Sequence, residues 1–407
     1  MKKKQLAKKP SDAKGTKAIF AALAAALSIF FFVSVLNSSF PAIVKFLLGA
    51  VSLAACGTAL AHSFNLECHF GLFLLKGTQG LKLLDDISRR HPAFWEWISH
   101  LGMVIGYGSL AYFVMGKKID LRRDLGFILR TYAVGTFLLI LVSGIIPLAM
   151  ATLLSMVTGG EEFATAGSKL GTSVAQLPYM KYITIGLTAI GGIALTTTLS
   201  IITYALVVAS AVANAFLGNS AHLENTAPGG MPILPGINLD LVQGVIALAV
   251  VLIVHEGMHG ILARLNKLPL KSAGLVFFGF LPFGAFVDID EKKLFAAPKS
   301  KQNAVLVAGT AANFLASLLL LILLIIFVQA FGGLSSAPPS WAKWTAQTIA
   351  LCFAINAIVA AINLVPLPLF DGYHIMKNAV GNKLASDAIM WLVLLSFVLT
   401  MFPWVLR

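Results

Sequence analysis

Charged residues are scarce in this chain. Only 12% of its 407 residues are Asp, Glu, Lys or Arg, whereas 58% are hydrophobic, and a soluble domain carries roughly 25% charged residues. Several apolar stretches reach about 20 residues, the length at which an α-helix spans a bilayer. The composition therefore excludes an ordinary soluble protein and predicts an all-α polytopic membrane protein embedded in a lipid bilayer.

Cysteine is also scarce. Cys56, Cys68 and Cys352 lie far apart and form no CxxC pair. An odd number at such spacing supplies neither a disulfide framework nor a cysteine zinc cluster. No cleavable signal peptide is evident, because the first apolar run is long enough to remain as a membrane span.

Acidic residues are fewer than basic residues, 17 against 30, which gives the chain a net charge of +13. The basic residues lie in short loops and in the N-terminal stretch MKKKQLAKKPSDAKGTK, without interleaved aromatic residues. Lys and Arg in short loops orient membrane proteins. We therefore expect no nucleic-acid partner.

Nine apolar stretches are candidate membrane spans. They cover residues 18–36, 41–61, 96–116, 125–157, 182–217, 240–265, 303–331, 345–365 and 386–405. The stretch 182–217 is either one tilted helix or a hairpin of two short passes, with a kink expected at Gly191–Gly192. The total is therefore about nine or ten transmembrane helices.

The loop charges predict the orientation of the chain. Basic residues follow the span 240–265 and precede the span 303–331, whereas residues 218–238 contain no Lys or Arg. The first surface is predicted to be cytoplasmic and the second external. If every predicted span crosses the membrane once, the basic segment 117–124 lies on the external side, contrary to its charge. Either 182–217 therefore crosses twice or 62–95 is not a simple loop.

Residues 274–290, GLVFFGFLPFGAFVDID, are apolar but too short and too rich in glycine and proline for a span. A run of this length is typical of a re-entrant or interfacial segment, and its aromatic residues favour a β-hairpin. Non-helical backbone at membrane depth is tolerated only beside protein or a wet cavity. We therefore expect this hairpin to line a cavity.

Two histidines and a glutamate stand inside the apolar run VLIVHEGMHGILARL, residues 251–265. On an α-helix, His255 and His259 are one turn apart and share a face, so both imidazoles can bind one Zn²⁺ ion. Glu256 is adjacent to the first ligand and can act as a base near the metal without binding it. This is the HExxH pattern of zinc peptidases, and ionisable residues within a membrane span are usually functional.

Catalytic zinc needs a third protein ligand, and Asp371 is the best candidate. It lies in NLVPLPLFDGYHI, residues 363–375, where Pro366 and Pro368 interrupt the preceding helix. The carboxylate is predicted to meet the two histidines at the cytoplasmic end of their helix. His374 is a weaker alternative ligand.

At this point the chain resembles the site-2 protease family of intramembrane zinc metalloproteases. HExxH is followed by Gly309 and Asn313 in AGTAANF, and then by Asn363, Pro366, Asp371 and Gly372. The hairpin segment is similar to the membrane-associated hairpin of that family. Phe370 replaces the usual leucine of the L-D-G motif, and that swap keeps an apolar group.

The resemblance implies the role of each residue. His255, His259 and Asp371 would bind one catalytic zinc ion, Glu256 would be the general base, and Asn313 and Asn363 would lie near the bound peptide or its oxyanion. The asparagines also suit ordinary helix–helix hydrogen bonds. The edge of the hairpin would receive an unwound transmembrane protein substrate by strand addition, with Phe283, Gly284, Ala285, Phe286 and Val287 nearest to it.

The resemblance covers residues 240–404, and residues 239–405 would form the catalytic membrane core. Residues 1–238 would form a multi-helix membrane region of unassigned role. The loop 332–344 is too short for a PDZ domain, and no nucleotide-sensing domain is expected after Arg407. The protein is thus predicted to be a multi-pass protein of the cell membrane with its active site toward the cytoplasm.

A zinc or ion transporter, or a zinc-binding membrane scaffold, is the alternative function, because histidine and aspartate also line ion pathways. Glu256 favours the enzyme, since a transporter has no need of a carboxylate beside its first ligand. Another membrane metallopeptidase with a glutamate as third ligand is disfavoured, because residues 302–331 and 341–365 contain no Glu.

Overall fold

A computed structural model describes residues 10–77, 79–115, 121–157, 180–219, 221–230, 233–237, 239–332 and 339–405. The lysines among residues 1–9, much of the basic segment 117–124, residues 333–338 of the loop 332–344 and the last two residues lie outside the described residues.

The described chain is mainly helical. Its helices are α1 Pro10–Leu36, α2 Ala42–Phe64, α3 Gln79–Arg90, α4 Pro92–Tyr107, α5 Ala111–Met115, α6 Leu121–Val157, α7 Met180–Phe216, α8 Ala221–Glu224, α9 Leu241–Leu265, α10 Glu291–Ala296, α11 Lys299–Gly332, α12 Ser340–Ile362, α13 Asp371–Val380 and α14 Lys383–Val405.

Within the described ranges, nine helical segments are long and apolar enough to cross a membrane. They coincide with the nine predicted spans, and the third continues α4 through a short 3₁₀ turn into α5. The predicted fold class, a polytopic helical membrane protein, is confirmed.

Helix α7 bends sharply at Gly192, whose backbone has φ 62° and ψ −159°. The hydroxyls of Thr188 and Thr196 lie 3.0 Å apart, whereas eight residues of a straight helix span about 12 Å. The predicted kink is therefore present. It divides α7 into two helices, which favours the hairpin interpretation over a single tilted helix.

A four-stranded antiparallel sheet accompanies the helices. Its strands, in spatial order, are β1 Cys68–His69, β2 Leu72–Gly77, β3 Leu270–Phe278 and β4 Leu281–Ile289. The predicted hairpin is thus present as β3 and β4. The sequence left 62–95 open, and there the structure has a second hairpin, in which β2 pairs with β3, for example Leu75 with Leu275.

Both hairpin tips lie against the middle of α2. Gly71 contacts Ala54, Gly279 contacts Leu53, and the Gly279 N–H donates to the Gly71 carbonyl at 3.3 Å. Since α2 is a candidate span, the sheet enters to about half the depth of that helix. This is the re-entrant arrangement that the sequence predicted for residues 274–290.

Helices α9, α11 and α12 pack against one another, α9 also packs against β4, and α4 packs on α11. Ser99 of α4 donates to the carbonyl of Ala304 of α11 at 3.0 Å. The predicted division between residues 238 and 239 remains a prediction. The N-terminal part nevertheless contributes α4 and β2 directly to the surroundings of the C-terminal part.

Candidate metal and catalytic site

Helix α9 carries both histidines of the HExxH pattern. Asp240 caps its N-terminus, with its carboxylate accepting from the Val242 and Gln243 N–H groups, which satisfies free donors of the first turn. Four residues apart on this helix, His255 and His259 are both buried. Their Nε2 atoms lie 3.0 Å apart, so the two lone pairs converge on one point.

Asp371 reaches the same point from a distant part of the chain. Helix α12 ends at Ile362, and the proline-containing segment that follows leads to Asp371, the first residue of α13. The Gly372 N–H donates to the Asn363 carbonyl at 2.7 Å, which closes this turn. Oδ2 of Asp371 lies 3.3 Å from Nε2 of His255 and 3.3 Å from Nε2 of His259.

The three donor atoms form a nearly equilateral triangle with edges of 3.0, 3.3 and 3.3 Å. Tetrahedral zinc with bonds of about 2.0–2.1 Å separates neighbouring ligand atoms by about 3.3 Å. Among the described residues, this is the only group of three or more His, Cys, Asp or Glu side chains close enough to hold a metal ion. The chain's own donors thus fit one metal ion with a fourth position open.

Opposing influences act on the Asp371 carboxyl, which lies outside the spanning segments. Burial alone would raise its pKa, but the imidazoles of His259 and His255 outweigh burial and hold the pKa below its ordinary value. The carboxyl is therefore an anion near neutral pH, as a metal ligand must be.

The outer nitrogen of each imidazole has its own partner. Nδ1 of His259 lies 2.7 Å from the carbonyl of Val305 on α11, to which it donates, so Nε2 keeps its lone pair for a metal. Nδ1 of His255 lies 3.1 Å from the side-chain amide of Asn313. Such outer partners fix the ring orientation of metal-binding histidines.

Asn313 is fully buried, and its Oδ1 has no hydrogen-bond partner among the described residues. Because the two ends of an amide are assigned from the hydrogen-bond network, the reversed orientation places Oδ1 against the N–H at Nδ1 of His255 and satisfies both groups. The structure therefore places the buried Asn313 side chain against Nδ1 of His255, on the side of the ring away from the metal-binding Nε2 atom.

Gly309 explains how α11 approaches so closely. A Cβ atom at this position would lie 2.6 Å from Cε1 of His255 and 2.6 Å from Nε2 of His259. Only glycine permits this approach, because real Cβ atoms do not come so near. The glycine of the AGTAANF segment thus makes room for the two imidazoles.

Glu256 lies beside the three donors but not among them. Its Oε2 accepts a hydrogen bond of 3.2 Å from the Val287 N–H of β4. It lines a cavity of about 690 Å³ together with His255, His259, Asp371, Asn363 and Val287. The carboxylate is thus held next to the site and open to the same cavity.

The C-terminal end of β4 lines this cavity through Val287, Asp288 and Ile289. Strand β3 is covered on one side by β2, whereas β4 is the last strand of the described sheet. Since the Val287 N–H points to Glu256 rather than to β3, the backbone of Ala285, two residues earlier, faces the same way. Gly284 packs on Leu252 of α9. Phe283, Ala285 and Phe286 are half-buried in the same strand, and of residues 283–287 only Val287 lines the cavity.

His374, the alternative ligand, lines the cavity but is not part of the group of three donors. Its ring packs against Phe295 at 4.8 Å between centroids, and burial lowers its pKa. Helix α13, which carries both His374 and Asp371, is fastened to α11 by Asn378, whose amide donates to Gln302 at 3.0 Å and to Asn303 at 2.8 Å.

The sequence did not predict two groups that hold the site residues in place, the Val305 carbonyl and the Asn378 side chain. The Val305 carbonyl is a backbone group, so no residue type signals it. Asn378 stands alone in its helix, and only the folded chain shows that it joins α13 to α11.

Comparison with known proteins agrees with this geometry. Residues 243–342 match the model of peptidase family M50, the site-2 protease family. An uncharacterized protein of Methanocaldococcus jannaschii is 36% identical over 97 residues, which are 24% of this chain and 26% of that protein. The match thus spans about a quarter of the relative's length. No solved structure matches the chain significantly.

The predicted resemblance is confirmed for the segment that holds His255, Glu256, His259, Gly309 and Asn313. Asn363 and Asp371 lie beyond that segment. This multi-pass membrane protein is therefore similar to peptidase family M50 between residues 243 and 342.

Proposed function

We propose, from the family M50 segment and the convergence of His255, His259 and Asp371, that the protein is an intramembrane zinc metalloendopeptidase. Its substrates would be transmembrane proteins, cleaved within their membrane-spanning segments. The observation that carries this proposal is the triangle of three donor atoms with a second, non-ligating carboxylate, that of Glu256, beside it.

One zinc ion would be held by His255, His259 and Asp371. When bound, zinc polarises a scissile carbonyl and makes water more acidic. Glu256 would act as the general base and then as the acid, taking a proton from water and returning it to the leaving amine. The hydrogen bond from the Val287 N–H would hold the carboxylate in position between these transfers.

The free edge of β4 would hold the substrate. Peptide bonds in a transmembrane helix are internally hydrogen-bonded, so the segment must unwind before cleavage. Strand addition to β4 would replace the lost hydrogen bonds of the substrate backbone, and the backbone of Ala285, on the same side of the strand as Val287, would be available for it. Asn363, at the C-terminal end of α12, lines the same cavity and would contact the bound peptide.

Residues 239–405 would be the catalytic core, and residues 1–238 would add membrane helices and the hairpin of β1 and β2. Lys267 and Lys271 follow the C-terminal end of α9, and Lys299 donates to the carbonyl of Asn378 of α13, so the site would lie near the surface with the basic loops. The positive-inside rule would place that surface in the cytoplasm of the cell membrane.

The decisive test compares Glu256→Gln with wild type in the cleavage of a model transmembrane substrate by purified protein. General acid–base catalysis is worth about 10²–10⁴ in rate, so the variant should lose at least a hundredfold while retaining its zinc. Chelation should abolish cleavage by wild type. Glu67→Gln, an exposed carboxylate away from the cavity, is the matched control and should cleave normally.

Cleavage by Glu256→Gln at the wild-type rate would refute the proposed mechanism. If wild type cleaves no transmembrane substrate but carries zinc across vesicle membranes, the transporter alternative replaces the protease.

A further inference from the structure

A second cavity opens away from the catalytic residues. It has a volume of about 690 Å³ and lies between the ends of α3, α9 and α10. Four basic side chains line it, contributed by three separate parts of the chain: Arg89, Arg264, Lys267 and Lys293. Ser88 is the neutral polar side chain on the same lining.

The positive charge of this cavity is mostly unbalanced. Its one lining carboxylate, Asp85, pairs with Arg264 at 2.7 Å. Arg89, Lys267 and Lys293 are exposed, and within the part of the chain that the structure describes none of them has a carboxylate at ion-pair distance. Three like charges around one concave surface repel each other unless an anion lies between them.

The cavity lies at the level where membrane spans end. Pro92 begins the span of α4, Leu265 ends the span of α9, and both residues line the cavity. His91, the N-cap of α4, provides no side-chain hydrogen bond to the first turn. The positive end of that helix therefore adds to the potential of the basic side chains.

We propose that this cavity binds a phosphate group at the membrane surface, with Arg89, Lys267 and Lys293 as its main contacts. Basic pockets at the ends of membrane helices suit the phosphate of an acidic phospholipid headgroup. A free phosphate presents the same chemistry, and the measurement below distinguishes the two sources.

A phosphate bound in this cavity would link α3 and α10 to α9, the helix that carries the HExxH pattern. The Arg264–Asp85 pair already joins α9 to α3, and Leu84 of α3 packs on Gly260, the residue after His259. A phosphate held by Arg89, Lys267 and Lys293 would add α10 to this junction. Binding itself can be measured whether or not the protein cleaves a substrate.

The test uses the full chain in detergent micelles with tail-labelled phosphatidylglycerol as probe and tail-labelled phosphatidylcholine as reference. The triple variant Arg89→Gln, Lys267→Gln, Lys293→Gln leaves the Arg264–Asp85 pair intact. Each basic residue near a membrane surface contributes about fivefold to binding of an anionic lipid, so the triple variant should bind phosphatidylglycerol roughly a hundredfold more weakly. Phosphatidylcholine binding should not change.

The matched control is Arg90→Gln, Lys292→Gln, Lys383→Gln, which removes the same charge from exposed positions that do not line the cavity. It should keep phosphatidylglycerol binding within about twofold, because charges in open solvent are screened. Inorganic phosphate is then added as competitor. Displacement of the lipid identifies a free phosphate as the ligand source, and resistance to displacement identifies the phospholipid.

Equal losses in the two triple variants would overturn the proposal, and so would unchanged lipid binding in the cavity variant. Circular dichroism of both variants reports whether they fold. If the cavity triple does not fold, the single variants Lys267→Gln and Lys293→Gln replace it, each expected to weaken binding about fivefold.

Discussion

Gly309 of α11 lies directly against His255 of α9. A Cβ atom on Gly309 would come within 2.6 Å of Cε1 and 2.7 Å of Nδ1 of that imidazole. The position of the metal-binding ring therefore depends on the absence of a side chain on a neighbouring helix.

Gly309→Ala should displace the imidazoles and lower the zinc affinity by about 10–100-fold, the usual effect of disturbing the groups around metal ligands. Zinc titration of the purified variant measures the change. Gly144→Ala is the control, because a Cβ there meets nothing within 4 Å. Equal zinc affinity in Gly309→Ala and wild type would mean that the rings tolerate the added methyl group.

The ligand set is tested by zinc stoichiometry. Wild type should contain about one zinc per chain, as a single catalytic site requires, and the double variant His255→Ala, His259→Ala should contain almost none. Asp371→Ala should also lose the metal, whereas His374→Ala should retain it, because Asp371 and not His374 belongs to the converging donors. The reverse result for the last two variants would make His374 the third ligand.

Asn313 is expected to orient His255 rather than to bind the peptide. Asn313→Leu, of similar volume but without an acceptor, should weaken zinc binding about 10–100-fold. Asn313→Asp keeps an acceptor for the Nδ1 proton of His255 and should restore zinc binding. A peptide-binding role would instead change KM and leave zinc affinity the same in both variants, so parallel zinc titrations and kinetics separate the two roles.

The free edge of β4 is tested by crosslinking. In a variant with Cys56, Cys68 and Cys352 replaced by serine, single cysteines at positions Phe283 to Val287 should crosslink to a bound transmembrane substrate. A cysteine in place of Val276 should not, because this residue of β3 is paired with Leu74 on one side and Gly284 on the other. Crosslinks from β3 alone, or only to lipid, would contradict strand addition to β4.

Local sequence patterns determined much of this protein. The nine spans follow from apolar length, since each such stretch satisfies its backbone hydrogen bonds internally as a helix. The spacing of His255 and His259 places both on one helical face whatever the rest of the chain does. Glycine and proline similarly exclude a helix at 274–290, and the kink at Gly192 lies where the glycine pair predicted it.

Long-range contacts were decided only by the tertiary structure. Residues 62–95 gave no clear prediction, because β2 is stabilised by pairing with β3, about 200 residues later, and local propensity does not encode such a partner. The contact of Asn313 with Nδ1 of His255 depends on how closely α11 approaches α9, which Gly309 permits. The sequence predicted Asp371 as the third ligand, but its position 3.3 Å from both Nε2 atoms depends on the turn after α12, which directs the carboxylate toward them. Spacing along one helix is fixed by covalent geometry, whereas the distance between helices is fixed by the packing of side chains far apart in the chain.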